Sequence, residues 1–321
     1  MKKNSVINLL LKAGIVALLF FALYRQVFLN NSWNDMLARF MNGVEKTSWL
    51  LLAFVVLLML VNWATEALKW KLLLSKMESV SFMESYAAIF AGMTFALFTP
   101  NRVGEYAGRL IYHRTQSIIR AIMVTLIGSF AQITVTFIMG LIGTGFFVFY
   151  FEKQKDYLQV LSGAASILLI IASLIAYFNV GLLTRLIPHK GKWLIKTKRY
   201  LLILGRYSRK ELLNILLVSF LRYGVFTAQY IVLLYLFGVH VSIIKASIMI
   251  ALIFFTQTVI PSIAILELGM RGSVAIFFLG YLSQNNLGIL SASFGLWIIN
   301  LVLPAIIGSI FILKSNLTKK L

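Results

Sequence analysis

The 321-residue sequence has no cysteine, four prolines, three histidines and ten acidic residues. Without thiols no disulfide framework can form, and the usual structural zinc and iron–sulfur sites lose their ligands. Only 12% of the residues are charged, where soluble domains carry about 25%, so an ordinary water-facing surface is excluded. What is present instead is apolar: 60% of the chain, which also excludes intrinsic disorder. The charge that does occur is mostly of one sign. Thirty Lys and Arg against ten Asp and Glu give a formal net charge of +20. On a hydrophobic chain that excess points to membrane topology, anionic lipid or nucleic acid.

The chain therefore reads as an all-α integral membrane protein. Runs long enough to cross a bilayer lie at roughly 7–29, 49–74, 121–150, 158–182, 212–237 and 288–313. Met1-Lys2-Lys3 opens the first run, and no small-residue cleavage site follows it, so it reads as an uncleaved helix. Two shorter runs end at Pro100 and Pro261 and are followed by segments that carry charge. These read as two proline-broken re-entrant hairpins added to about six full spans. Pro188 falls in a polar loop, and Pro304 predicts a kink inside the last helix.

The two hairpin sequences match. Thr99-Pro100-Asn101-Arg102-Val103-Gly104-Glu105 leads to Arg109, and Pro261 leads to Glu267-Leu268-Gly269-Met270-Arg271. The same offset, about half the chain, separates Glu105 from Glu267 and Arg109 from Arg271. This predicts a duplication with halves 1–157 and 158–321 forming one membrane domain. With the N- and C-termini cytoplasmic, most Lys and Arg fall on the cytoplasmic side, including the basic stretch 183–211. The hairpins then enter from opposite faces, which is an inverted-topology repeat of the kind secondary transporters use.

Ionisable residues at membrane depth are expensive unless paired, which makes them functional candidates. Here they are Arg102, Glu105 and Arg109 in one half and Glu267 and Arg271 in the other. Each pair Glu105/Arg109 and Glu267/Arg271 has the favoured i,i+4 order, so internal neutralisation stands beside substrate contact as a reading. Arg102 is the better anion candidate. Thr99 is placed to cap a helix whose first residue is Pro100. Gly104, Gly108, Gly269 and Gly272 allow close approach of another backbone or a headgroup.

Asn62, Glu66 and Lys69 share a face of the second helix, where Glu66 can pair with Lys69 or with a hairpin arginine. Arg222 is expected in the cytoplasmic third of its helix, snorkelling to the surface. Trp33, Trp49, Trp70 and Trp193 fall at expected span ends as an interfacial belt. Gly140, Gly143 and Gly145 suggest close helix packing. The candidate substrate-binding set is Glu66, Pro100, Asn101, Arg102, Gly104, Glu105, Arg109, Pro261, Glu267, Gly269 and Arg271.

At these residues the chain resembles the lysylphosphatidylglycerol synthase transmembrane region, also called the flippase-like domain. The likeness spans nearly the whole chain, but Ser262-Ile263-Ala264-Ile265-Leu266 departs from the glycine-rich segment usual after the second proline. The resemblance implies movement of an anionic or amphiphilic lipid between leaflets of the cytoplasmic (inner) membrane. The best-known members add a soluble synthase domain; the sequence here ends at Leu321, so only the membrane part, and no lysyl transfer, is implied. Two alternatives stay open: an integral-membrane transferase acting on a lipid carrier, and an accessory subunit of a cell-envelope glycosyltransferase or synthase. No catalytic motif, metal set or cofactor is expected. Membrane lipids are the expected partners, with a cell-envelope biosynthetic enzyme as a further candidate. Nucleic acid is not expected, because no recognisable module accompanies the charge.

Overall fold

The computed structural model describes residues 49–97, 99, 103–110, 118–151, 156–181, 204–260 and 264–314. The expected first span, 7–29, lies outside them, as do Pro100, Asn101, Arg102 and Pro261. Among the described residues there is no strand. Five helical stretches are long and apolar enough to cross a membrane: Trp49–Leu74, Ala121–Phe151, Gln159–Phe178, Arg209–Leu236 and Asn286–Leu313. They correspond to the five later spans expected from sequence.

The helices are α1 (Trp49–Leu74), α2 (Phe82–Ala96), α3 (Gly104–Leu110), α4 (Ile118–Phe151) and α5 (Asp156–Phe178). After them come α6 (Arg209–Leu236), α7 (Ile243–Val259), α8 (Ala264–Leu279), α9 (Asn286–Trp297) and α10 (Leu303–Lys314). A five-residue π turn, Ile298–Val302, joins α9 to α10. Pro304 has no N–H for an ordinary helical bond, and the wide turn just before it is where the expected irregularity falls.

Helix starts follow local chemistry. Ser81 and Glu84 form a capping box on α2, and Ser208 and Glu211 form one on α6. In both, the serine hydroxyl accepts from the third helical N–H while the glutamate returns to the cap N–H. The α6 box starts that helix earlier than the apolar run suggests. Tyr207, just before it, donates its hydroxyl to the Leu73 carbonyl at 2.6 Å. Burial pushes that phenol above its ordinary pKa, and Glu211 adds to the rise. After α6 the chain turns at Gly238, whose φ of 72° suits a residue without Cβ.

Packing relies on small residues, since lipid tails give apolar helices little reason to prefer one another. α2 and α3 run antiparallel. A Cβ on Gly108 would sit 2.5 Å from the Ala91 carbonyl oxygen, and one on Gly104 would sit 2.4 Å from that of Phe95. Between them the Thr99 hydroxyl accepts from the Gly104 N–H at 2.7 Å. Thr99 thus bonds to the start of α3, five residues along at Gly104, while the expected helix start at Pro100 lies outside the described residues.

α1 packs on α6, α2 on α10, and α4 on α7. At α2–α10, a Cβ on Gly308 would lie 1.9 Å from the Phe90 carbonyl oxygen, and the Thr94 hydroxyl donates to the Ala305 carbonyl at 2.9 Å. At α4–α7, Gly140 faces the Phe255 ring and Gly143 faces Ala251. Gly145 has open space beside it and takes no part in this packing. α5 lies outermost, with Val160, Leu161, Ile167, Leu168 and Leu169 exposed. Trp49 is exposed at a helix end, as an interfacial residue would be. Trp70 is not: it is buried and donates to the Thr125 hydroxyl at 3.2 Å.

Candidate functional site

The inner face of α1 repeats at helical spacing through Asn62, Glu66, Lys69 and Leu73, all buried. Glu66 is the hub. Its carboxylate is 2.7 Å from the Lys69 ammonium, 3.0 Å from the Arg109 guanidinium on α3 and 3.1 Å from the Arg222 guanidinium on α6. Arg109 also pairs with Glu105, one turn earlier on α3. Among the described residues, three cations therefore surround two carboxylates. A buried charge left unpaired costs several kcal/mol, so each member depends on the others.

This geometry bears out one expectation and corrects another. Glu66 pairs with Lys69, whose side chain is 2% exposed, and with Arg109 as well. Arg222 does not snorkel. It sits at the middle of α6, since the Ser208–Glu211 box begins the helix at Arg209. Its guanidinium packs 5.1 Å from the Trp63 ring centre and 5.7 Å from that of Phe226.

An amide chain continues from Arg222. Arg222 Nε donates to Asn62 Oδ1 at 3.1 Å, and Asn62 Nδ2 donates to Asn300 Oδ1 at 3.0 Å. Asn300 Nδ2 donates to Gln229 Oε1 at 3.0 Å, and Gln229 Nε2 donates to the Val55 carbonyl at 2.9 Å. Asn300 lies on the π turn, whose widened backbone carries the side chain between α1 and α6. Gln229 and Asn300 were not singled out from sequence. Each is a neutral amide among apolar neighbours deep in a span, and only that setting could have marked it.

Beside Arg222 opens a cavity of about 220 Å³. Its polar lining is Arg222, Arg271, Gln132, Gln257, Thr136 and Thr258, and its aromatic wall is Tyr223, Phe226 and Phe254. Among the described residues that line it there is no carboxylate. Gln132 and Thr136 are near the middle of α4, as Arg222 is of α6, so the cavity lies at mid-span of two long helices. Arg271 donates to Gln257 Oε1 at 3.2 Å across the α7–α8 pair.

The expected site residues thus divide. Glu66, Glu105 and Arg109 come together in the charge cluster. Gly104 supports the α2–α3 contact. Arg271 lines the cavity, while Gly269 has nothing within 4 Å of a would-be Cβ. Glu267 lies on α8, with its side chain outside the described residues, as are Pro100, Asn101, Arg102 and Pro261 entirely.

A family profile described as "Lysylphosphatidylglycerol synthase TM region" matches residues 9–309. The chain belongs to that family. No curated protein matches it. Membership of the lysylphosphatidylglycerol synthase transmembrane-region family, with five apolar helices, makes this a multi-pass membrane protein related to lipid and cell-envelope processes.

Proposed function

We propose that the protein binds the anionic or amphiphilic headgroup of a membrane lipid in the mid-span cavity and passes that lipid between leaflets of the cytoplasmic membrane. The observation that carries this reading is the convergence of Arg222 and Arg271 on one polar cavity walled by aromatic rings. Guanidinium groups suit phosphate oxygens, since their fixed fork offers two parallel N–H donors. Gln132, Gln257, Thr136 and Thr258 add donors for glycerol or sugar hydroxyls, and the rings suit the apolar part of the ligand.

The helix packing supports a repeat. Exchange α1, α2, α3 and α4 for α6, α7, α8 and the α9–α10 unit, and three of the main contacts among them map onto one another: α2–α10 onto α7–α4, α2–α3 onto α7–α8, and α1–α6 onto itself. Glycine contacts occur at both members of the exchanged pair, Gly308 at one and Gly140 and Gly143 at the other. With the positive-inside rule, this favours halves 1–157 and 158–321 of opposite orientation, cytoplasmic termini, and the α2–α3 and α7–α8 pairs as re-entrant hairpins. Alternation of the halves would then open the cavity to each leaflet in turn.

The test is transbilayer movement of fluorescent phosphatidylglycerol in proteoliposomes. Arg222→Gln and Arg271→Gln are each expected to remove most of the protein-dependent flux. Unchanged flux in both variants rejects the cavity as the headgroup site. Absence of flux from the intact protein alone, restored by a co-purifying envelope enzyme, would favour an accessory role instead.

A further inference from the structure

We infer that Glu66 is the resident counter-anion of the cavity, and that a net-anionic lipid headgroup displaces it from Arg222. The inference rests on the headgroup reading above and adds what holds the site before the lipid arrives.

Among the described residues the cluster has one cation more than it has carboxylates, and geometry identifies the cation that also faces the cavity. The Lys69 and Arg109 side chains are 2% and 5% exposed and are not among the described residues that line the cavity. The Arg222 side chain is 13% exposed and lines the cavity. Glu66 Oε2 is shared between Lys69 at 2.7 Å and Arg222 at 3.1 Å, while Oε1 is held by Arg109. If Arg222 turns away, both carboxylate oxygens keep a cation. Arg222 in turn keeps an anchor, because its Nε donates to Asn62 while Nη1 makes the Glu66 contact. The guanidinium can therefore pivot about Nε, and Nη1 already donates to Gln132 Oε1 on the cavity lining at 3.5 Å.

The exchange carries information between the halves. Glu66 binds α3 through Arg109 and α6 through Arg222 at the same time. A headgroup that takes Arg222 removes the ion pair between α6 and α1, keeps the Arg222–Asn62 and Gln229–Val55 hydrogen bonds between them, and leaves the α2–α3 pair attached through Arg109. Occupancy of the cavity is thus linked to one buried ion pair between α1 and α6.

The probe is the full-length protein equilibrated with vesicles of phosphatidylglycerol and phosphatidylcholine in equal parts, with retained lipid quantified by mass spectrometry. Removing the competitor with Glu66→Gln is expected to raise the phosphatidylglycerol-to-phosphatidylcholine ratio about tenfold, equivalent to ~1.4 kcal/mol. Arg222→Gln is expected to lower the ratio, and adding Glu66→Gln to it should change nothing further. A ratio unmoved by Glu66→Gln but lowered by Arg222→Gln overturns the counter-anion role and keeps the headgroup reading. A ratio unmoved by Arg222→Gln removes both. If Glu66→Gln does not fold, Glu66→Asp keeps the charge but withdraws it by one methylene. A folded Glu66→Asp protein should raise the ratio about threefold, which is roughly half the tenfold free energy, and an unchanged ratio overturns the inference.

Discussion

Asn62 on α1 donates a 3.0 Å hydrogen bond to Asn300 on the π turn before α10, although 238 residues separate them. Asn300 passes the contact on to Gln229, so one amide ties three parts of the bundle. Truncating it with Asn300→Ala strands two buried partners, an acceptor on Gln229 and a donor on Asn62. The expected cost is about 2 kcal/mol. Thermal unfolding in detergent should show a clear fall for this variant, and a melting point equal to wild type would contradict it.

The charge cluster predicts an order of sensitivity. Lys69→Met leaves two cations on two carboxylates, whereas Glu66→Gln leaves three cations on one. Breaking a buried ion pair costs about 3–5 kcal/mol when a charge is left uncompensated, and less where balance is restored. Glu66→Gln should therefore destabilise more than Lys69→Met. The measurement is the midpoint of unfolding for both variants side by side; the reverse order would mean that the cluster is not organised by charge.

Glycine substitutions separate packing from propensity. Gly308→Ala puts a methyl group 1.9 Å from the Phe90 carbonyl oxygen, so α2 and α10 must part, at a cost of ~3 kcal/mol. Gly145→Ala meets nothing within 4 Å, and an alanine in mid-helix is better by up to about 1 kcal/mol. The first variant should give low yields of monodisperse protein, and the second should match or exceed wild type.

Orientation can be read directly, because the sequence has no cysteine to remove. Arg206→Cys, just before α6, should react with a membrane-impermeant maleimide only from the cytoplasmic face. Lys245→Cys, at the start of α7, should react only from the opposite face. Labelling of both from one side would disprove the proposed topology.

The spans were legible because a long apolar run is itself a length measurement. So was the Asn62–Glu66–Lys69 face, since helical spacing alone puts those residues together. Arg222 was misjudged for a local reason. The apolar run begins at 212, but the Ser208–Glu211 box starts the helix three residues sooner and moves Arg222 to its centre. Once there, an arginine cannot reach the surface and must find a partner. That partner, Glu66, lies far away in sequence, and helical spacing says nothing about which helices become neighbours. Gln257 differs: the hairpin read at Pro261 already folds α8 back along α7, and only the choice of Gln257 as the residue facing Arg271 was not encoded in either segment.

The π turn at Ile298–Val302 sets a phase. It holds one residue more than ordinary helix would need, and one residue corresponds to about 100° of rotation around the axis. Upstream of the turn the last span presents α9 to α6 and α8; at the turn it presents Asn300 to Asn62; downstream it presents Gly308 to Phe90. Deleting a single residue from the turn would leave the amide chain and the glycine contact pointing in incompatible directions. The extra residue acts as a gear tooth, keeping two unrelated contacts on one helix in mesh.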